Sequence, residues 1–129
     1  MKKYFFIITL ICLTVFSCTK EEGEGGRSSI TGTIHMTDIN DQTGAVQAEY
    51  NAPDHDVYII YGDDDDIYDD DMKTNYDGTF EFKNLRKGSY RIFTYTQDLT
   101  ESSLVKAVFK SVELDGSGTS DVGTIEVEK

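Results

Sequence analysis

The densest group of side chains able to do chemistry lies between Gly62 and Asp71, where seven aspartates fall within nine residues. Carboxylates held this close repel one another, and a bridging cation relieves the repulsion. Calcium fits because it accepts about six to eight oxygen ligands in flexible geometry. The stretch lacks the sixth-position glycine and the twelfth-position glutamate of an EF-hand, so a solvated acidic loop is the open alternative. The ligands of the hypothetical calcium site are Asp63, Asp65, Asp66, Asp69 and Asp71.

Three tyrosines, Tyr61, Tyr68 and Tyr76, flank this acidic stretch. An exposed tyrosine offers an apolar ring with a polar hydroxyl, a combination that contacts sugars, peptides and proteins. The sequence therefore predicts a binding surface built from these three rings. The alternative is that the rings only shield the ends of strands.

Catalytic chemistry is not indicated. His35 and His55 are the only histidines, and they lack metal-ligand spacing and a partnered nucleophile motif. The sequence also contains no phosphate-cradling glycine loop and no basic patch. We therefore expect no enzymatic activity and assign no catalytic residue.

The N-terminus predicts export and lipid anchoring. Lys2 and Lys3 precede thirteen apolar or weakly polar residues, 4–16, which are too few to span a bilayer. The closing Val15-Phe16-Ser17-Cys18 resembles the lipobox of bacterial lipoproteins, in which Cys18 becomes the lipidated first residue after cleavage behind Ser17. A plain secretory signal with an incidental cysteine is the alternative. Residues 1–17 are therefore predicted to be a lipoprotein signal peptide.

The residues behind Cys18 predict a tether. Residues 19–29 are rich in glycine and charge and contain no large apolar side chain, which is typical of a flexible linker. Lys20, Glu21 and Glu22 also resemble the short signal that sends lipoproteins of the Bacteroidota to the outer cell face. A solvated charged linker is the alternative. We expect a lipid-anchored, surface-facing outer-membrane protein with a tether over residues 18–29.

Composition limits the partners. The chain carries 12 basic and 24 acidic residues, a formal charge of −12. Removal of residues 1–17 takes away Lys2 and Lys3 and no acid, leaving 10 against 24, or −14. Such a charge repels nucleic acid and anionic membrane lipid and favours cations or basic partners, so we expect no nucleic-acid partner. Since Cys12 leaves with the signal and Cys18 carries the lipid, no thiol remains for a disulfide, a nucleophile or a metal site.

From Ile30 onward the apolar residues recur with a period of two, which is typical of strands. Ile30, Gly32, Ile34 and Met36 share one face of the first predicted strand. No amphipathic helix is evident, so residues 30–129 are expected to form one all-β antiparallel sandwich of about seven strands. The further predicted strands are 57–61, 72–75, 79–83, 89–96, 104–114 and 122–127, with a short one near 46–50.

Two of these strand predictions are specific about neighbours. Val57–Tyr61 is an unbroken β-branched and aromatic run, so we expect a central strand buried on both faces. Asp77-Gly78 between strand-like segments predicts a hairpin that joins 72–75 to 79–83.

The segment 74–92, TNYDGTFEFKNLRKGSYRI, resembles the carboxypeptidase-regulatory-like and collagen-adhesin B-type domains. That resemblance implies a transthyretin-like sandwich of about seven antiparallel strands. It also implies a non-catalytic role, since the family mostly provides stalks, spacers and interaction modules. The shared residues have structural explanations: the turn glycines, the core positions Phe80, Phe82 and Leu85, and Tyr90, whose hydroxyl can act as in a tyrosine corner.

The sequence thus favours a non-catalytic accessory module of an envelope assembly that binds another envelope protein. A TonB-dependent nutrient importer is one candidate host, by analogy with small surface lipoproteins that accompany such transporters. Two alternatives stay open: a free calcium- or ligand-binding domain that uses the acidic loop 63–71, and an adhesin-like surface subunit.

Overall fold

A computed structural model describes residues 21–63 and 66–129. These residues form eight strands. The predicted signal peptide 1–17, Cys18, Lys20 and Asp65 lie outside the described residues. The strands are β1 (Glu24–Ile39), β2 (Val46–Asn51), β3 (Asp56–Tyr61), β4 (Asp70–Lys73), β5 (Thr79–Leu85), β6 (Gly88–Gln97), β7 (Val105–Leu114) and β8 (Ser117–Glu128).

The strands form two four-stranded sheets. In the first, β1 pairs in parallel with β8 along one edge, and antiparallel with β5 and then β2 along the other. The second sheet has the order β4-β3-β6-β7 and is antiparallel throughout. The predicted all-β sandwich is therefore confirmed, with eight strands and with a parallel β1–β8 pair that the sequence did not indicate.

One hydrophobic core lies between the sheets and draws side chains from both. Burying a large apolar side chain contributes about 1.5–3 kcal/mol, so these positions determine how the sheets pack. The alternation predicted for β1 and the four predicted core residues of segment 74–92 are confirmed. The core side chains include Ile30, Ile34, Met36, Val57, Ile59, Phe80, Phe82, Leu85, Tyr90, Ile92, Leu114, Ile125 and Val127.

The Asp77-Gly78 turn forms where predicted but joins the two sheets. The Asn75 N–H donates to the Thr79 carbonyl at 2.8 Å, and Gly78 has a φ of 80°. However, β4 pairs with β3 and β5 pairs with β1, so the predicted hairpin is wrong. Turn chemistry specifies the reversal of the chain, whereas burial of the aromatic residues of β5 decides the sheet in which that strand pairs. The strand before the turn also begins two residues earlier than predicted, at Asp70.

The first strand begins earlier than the sequence predicts. Residues 24–29, expected to belong to the flexible tether, are the first six residues of β1, so that part of the tether prediction is wrong. Gly23 is buried; its N–H donates to the Tyr90 hydroxyl at 2.8 Å, and its carbonyl accepts the Arg86 N–H at 2.8 Å. The Tyr90 hydroxyl donates to the Arg86 carbonyl at 2.7 Å, which confirms its predicted tyrosine-corner role. Only four residues, 19–22, separate Cys18 from this anchored glycine.

We expect Gly32→Ala to destabilise the fold. A Cβ at Gly32 would lie 2.4 Å from Cζ of Phe80 and 2.9 Å from Cγ2 of Val122. Because Phe80 is only 1% exposed, its ring has no free volume into which to move. Overpacking of this kind costs roughly 1–3 kcal/mol. Urea unfolding measures the loss, with Thr33→Ala on the opposite face of β1 as the control. Equal stability of Gly32→Ala and wild type would contradict this packing.

Candidate binding surface

The outer face of the sheet β4-β3-β6-β7 carries a row of aromatic rings. Tyr58 lies directly opposite Phe93, and Phe93 lies directly opposite Phe109. The first pair is stacked, with centroids 4.9 Å apart, and the second is tilted at 5.1 Å. Opposed side chains share one face of a sheet, so the row crosses β3, β6 and β7 at right angles to the strands.

Two further rings widen this row. Tyr95 packs edge-on against both Tyr58 and Phe93, with centroids 5.7 Å away in each case. Tyr68, from the loop between β3 and β4, lies 4.8 Å from Tyr58. Phe93 is only 3% exposed, whereas Tyr68, Tyr95 and Phe109 are 48%, 46% and 49% exposed. We call these five rings, Tyr58, Tyr68, Phe93, Tyr95 and Phe109, the aromatic face.

The aromatic face depends on β3 being apolar on both sides. Val57 and Ile59 point into the core, and the alternate residues Tyr58 and Ile60 point outward. Ile59 and Ile60 are both fully buried, which confirms the prediction of a central strand buried on both faces. A strand with only one core-facing side would carry polar residues at positions 58 and 60.

The loop between β3 and β4 lies beside the aromatic face. The Asp66 carboxylate is 3.3 Å from Nη1 of Arg91, and the Asp69 carboxylate accepts the Tyr61 N–H at 2.7 Å. Because the Asp66 side chain is 98% exposed, its ion pair with Arg91 adds at most about 1 kcal/mol. Ring packing of Tyr68 on Tyr58 and the bond from the Asp69 N–H to the Ile59 carbonyl at 2.8 Å also hold this loop in place.

Charged groups surround the rings. Asp71 of β4 lies directly opposite Tyr58 of β3, and Asp56 forms an ion pair with Lys73 at 2.8 Å. Burial, followed by the charge of Asp56, raises the pKa of Tyr58 above its ordinary value of 10.0. Tyr58 therefore keeps its proton at neutral pH and offers a neutral hydrogen-bond donor. An apolar centre with a polar margin is the usual arrangement of a protein interface.

The three tyrosines predicted to bind do not form one surface. Tyr61 packs on the core side of β3, edge-on to Tyr90 at 5.8 Å, and burial raises its pKa to about 12. Tyr76 is 91% exposed in the turn after β4, at the opposite end of that strand from Tyr68. Only Tyr68 belongs to the aromatic face, so the prediction of a shared surface is wrong.

Sequence reasoning placed only Tyr68 of the five rings of the aromatic face at a binding surface and missed Tyr58, Phe93, Tyr95 and Phe109. One local signal was present in β6, where Phe93 and Tyr95 alternate with the core residues Tyr90 and Ile92. That pattern gives β6 two apolar faces, and a strand with two apolar faces needs apolar neighbours on both. The neighbour that supplies the outer contact is β7, through Phe109.

The predicted calcium ligands have separate surroundings. Asp66 faces Arg91, Asp69 accepts a backbone N–H, and Asp71 lies within β4. Asp63 is exposed. Among residues 21–63 and 66–129, no three acidic, histidine or cysteine side chains come close enough together to hold a metal ion. The calcium site stays a prediction from the sequence.

A melting experiment tests whether the acidic loop binds calcium. A cation bound only by the folded state raises the melting temperature by mass action. Loop binding therefore predicts a higher melting temperature in millimolar calcium, and loss of that rise when residues 63–66 are changed from aspartate to asparagine. An unchanged melting temperature in the wild type would contradict calcium binding.

Comparison with known proteins gives little beyond the fold. No protein-family model and no curated protein matches the chain. One similar solved structure is that of a Pseudomonas aeruginosa protein titled a "putative carbohydrate binding protein". It is 17% identical, with a TM-score of 0.47 over 83% of this chain and 91% of that one. At this level of similarity nothing about the ligand carries over.

Among the described residues, no helix is long and apolar enough to cross a membrane.

Proposed function

We propose that this chain is a non-catalytic, lipid-anchored surface protein that binds another envelope protein through the aromatic face. The observation that carries the proposal is the half-exposure of Tyr68, Tyr95 and Phe109 on a continuous apolar surface outside the core. Contiguous exposed apolar patches are small on soluble monomers and mark interaction sites when they are larger. Tyrosine and phenylalanine are also enriched at protein interfaces.

The opposite face of the sandwich supports this choice by contrast. The outward positions of β1, β5 and β8 carry threonines and carboxylates instead of rings. The pairs Thr31–Glu81, Thr31–Asp121 and Thr33–Thr79 are in direct register there. A sheet face of this kind needs no partner because its side chains are satisfied by water. The two outer faces therefore differ in chemistry, and the half-exposed rings lie on the β4-β3-β6-β7 face.

Outer-membrane anchoring through Cys18 and an importer of the TonB-dependent class as host belong to the same proposal. The structure supports a close attachment, since Gly23 is fixed in the fold five residues after Cys18. Five residues span at most about 18 Å when extended. A module held at that distance meets other proteins of the same membrane at high local concentration, so modest contact area suffices for stable association.

The experiment is purification of the full-length lipoprotein from its native membranes in mild detergent, followed by identification of what accompanies it. We expect one envelope protein in a stoichiometric amount. The same purification with Glu81→Ala, a change on the opposite outer face, serves as the control and should retain the partner. If the intact, folded lipoprotein came without any partner, the proposed function would be contradicted. Loss of the partner from the Glu81→Ala variant would contradict the aromatic face as the binding surface.

A further inference from the structure

Unpaired positive charge is concentrated at one end of an otherwise acidic molecule. The described residues include nine lysines and arginines, and five of them form ion pairs with acidic side chains. The four that form none are Arg27, Arg86, Lys87 and Lys110. Three of those four line a single cavity of about 300 Å³.

The remaining lining residues of that cavity are three glycines, Gly25, Gly26 and Gly116. No carboxylate lines it. Arg86 also lines the adjacent cavity, together with Glu22, Glu24, Asp69 and Asp70. The Asp115 carboxylate accepts the Ser117 N–H at 3.2 Å. A concave site with several cations and bare backbone has the composition of a phosphate-binding site.

Arg86 is held in place at this site. Its N–H donates to the Gly23 carbonyl, and its carbonyl accepts the Tyr90 hydroxyl. Its Nε is buried and has no hydrogen-bond partner among the described residues. A buried donor without a partner costs free energy that a bound acceptor recovers. These two bonds fix the main chain from which the Arg86 side chain extends.

The site also lies at the end of the fold where the chain leaves for the membrane. Arg27 opposes Ser117, and Leu114 opposes Gly88, so the start of β1, the β5–β6 turn and the β7–β8 turn meet at this end. Gly25 follows the anchored Gly23 by two residues. With the lipid on Cys18, the cavity lies within roughly 25 Å of the headgroup layer, since an extended residue spans about 3.5 Å.

We propose that the cavity formed by Gly25, Gly26, Arg27, Arg86, Lys87 and Gly116 binds the phosphate of an anionic lipid headgroup in the anchoring membrane. Binding there gives the lipid-anchored module a second attachment and therefore a fixed orientation. This inference rests on the lipid anchor of the proposed function but not on the protein partner.

The test uses the full-length lipoprotein in neutral detergent, labelled with ¹⁵N, with amide shifts of the three lining glycines as the readout. The probes are dihexanoyl phosphatidylglycerol, dihexanoyl phosphatidylcholine and inorganic phosphate. We expect saturable glycine shifts with the anionic lipid and at least tenfold weaker binding of the zwitterionic one. Arg27→Gln with Lys87→Gln should weaken phosphatidylglycerol binding at least tenfold. The charge-matched pair Lys83→Gln with Lys110→Gln should leave it unchanged.

Each of the following outcomes would contradict one part of this proposal. If no probe gave a saturable shift, the cavity would not be a binding site. If both double variants weakened phosphatidylglycerol binding equally, the binding would reflect the overall charge of the protein and not this cavity. Inorganic phosphate binding as tightly as the lipid would make it a free-anion site. Phe109→Ala should leave these shifts unaltered, so loss of the protein partner and loss of the headgroup site are separate results.

Discussion

Phe109→Ala is expected to fold normally and to lose the envelope partner. The ring is 49% exposed, lies at the end of the row that crosses β3, β6 and β7, and contacts Phe93 at 5.1 Å. An aromatic side chain that is a hot spot of an interface contributes about 2 kcal/mol or more. Loss of about 2 kcal/mol weakens binding roughly thirtyfold. The measurement is the dissociation constant between the purified protein and the proposed envelope partner identified by co-purification.

Tyr76→Ala is the matched control for this result. It removes a ring of similar size that is 91% exposed and lies away from the aromatic face. We expect wild-type affinity, because an isolated exposed ring at another place buries nothing against the partner. Thermal melting of both variants separates binding from folding. If Tyr76→Ala weakened the complex and Phe109→Ala did not, the partner surface would lie at the β4–β5 turn instead.

Local pattern was sufficient for most of the fold because strand formation is local. The alternation of Ile30, Gly32, Ile34 and Met36 predicts the buried face of β1, and Val57–Tyr61 predicts a doubly buried strand. Sheet membership is not local. The turn at Gly78 looks the same whether its flanking strands pair with each other or with β3 and β1. The parallel pairing of β1 with β8 joins the two ends of the domain, and no short window contains it.

The binding surface was harder to predict for the same reason. Tyr61 and Tyr68 are seven residues apart and flank the same acidic stretch, yet one packs against the core and the other on the outer face. The register between β6 and β7 brings Phe93 opposite Phe109. That register is a property of the assembled sheet. The residues next to Phe109 in sequence, Val108 and Lys110, give no sign that its ring extends a row begun on β3.

Tyr90→Phe is expected to cost about 2–4 kcal/mol in the free energy of unfolding, although it removes a single oxygen atom. The hydroxyl joins the Gly23 N–H to the Arg86 carbonyl, and neither group has another hydrogen-bond partner among the described residues. Each buried polar group left without a partner costs about 1–3 kcal/mol. Burial raises the pKa of Tyr90, so the hydroxyl remains a proton donor at neutral pH. Chemical denaturation measures the loss.

The exposed Tyr76→Phe variant controls for removal of a hydroxyl alone and should be as stable as wild type. Hydrogen exchange then tells a local effect from a general one. In Tyr90→Phe the amides of Gly23 and Arg86 should exchange faster than those of β3 and β6, because the Gly23–Arg86 bond loses its support. A released Gly23 would lengthen the stretch of chain between Cys18 and the first residue held by the Tyr90 hydroxyl. The module would then sample more positions above the membrane, and a partner in that membrane would see a lower effective concentration of the aromatic face. If Tyr90→Phe retained wild-type stability and Gly23 stayed protected, the hydroxyl would not be what fixes the start of the fold.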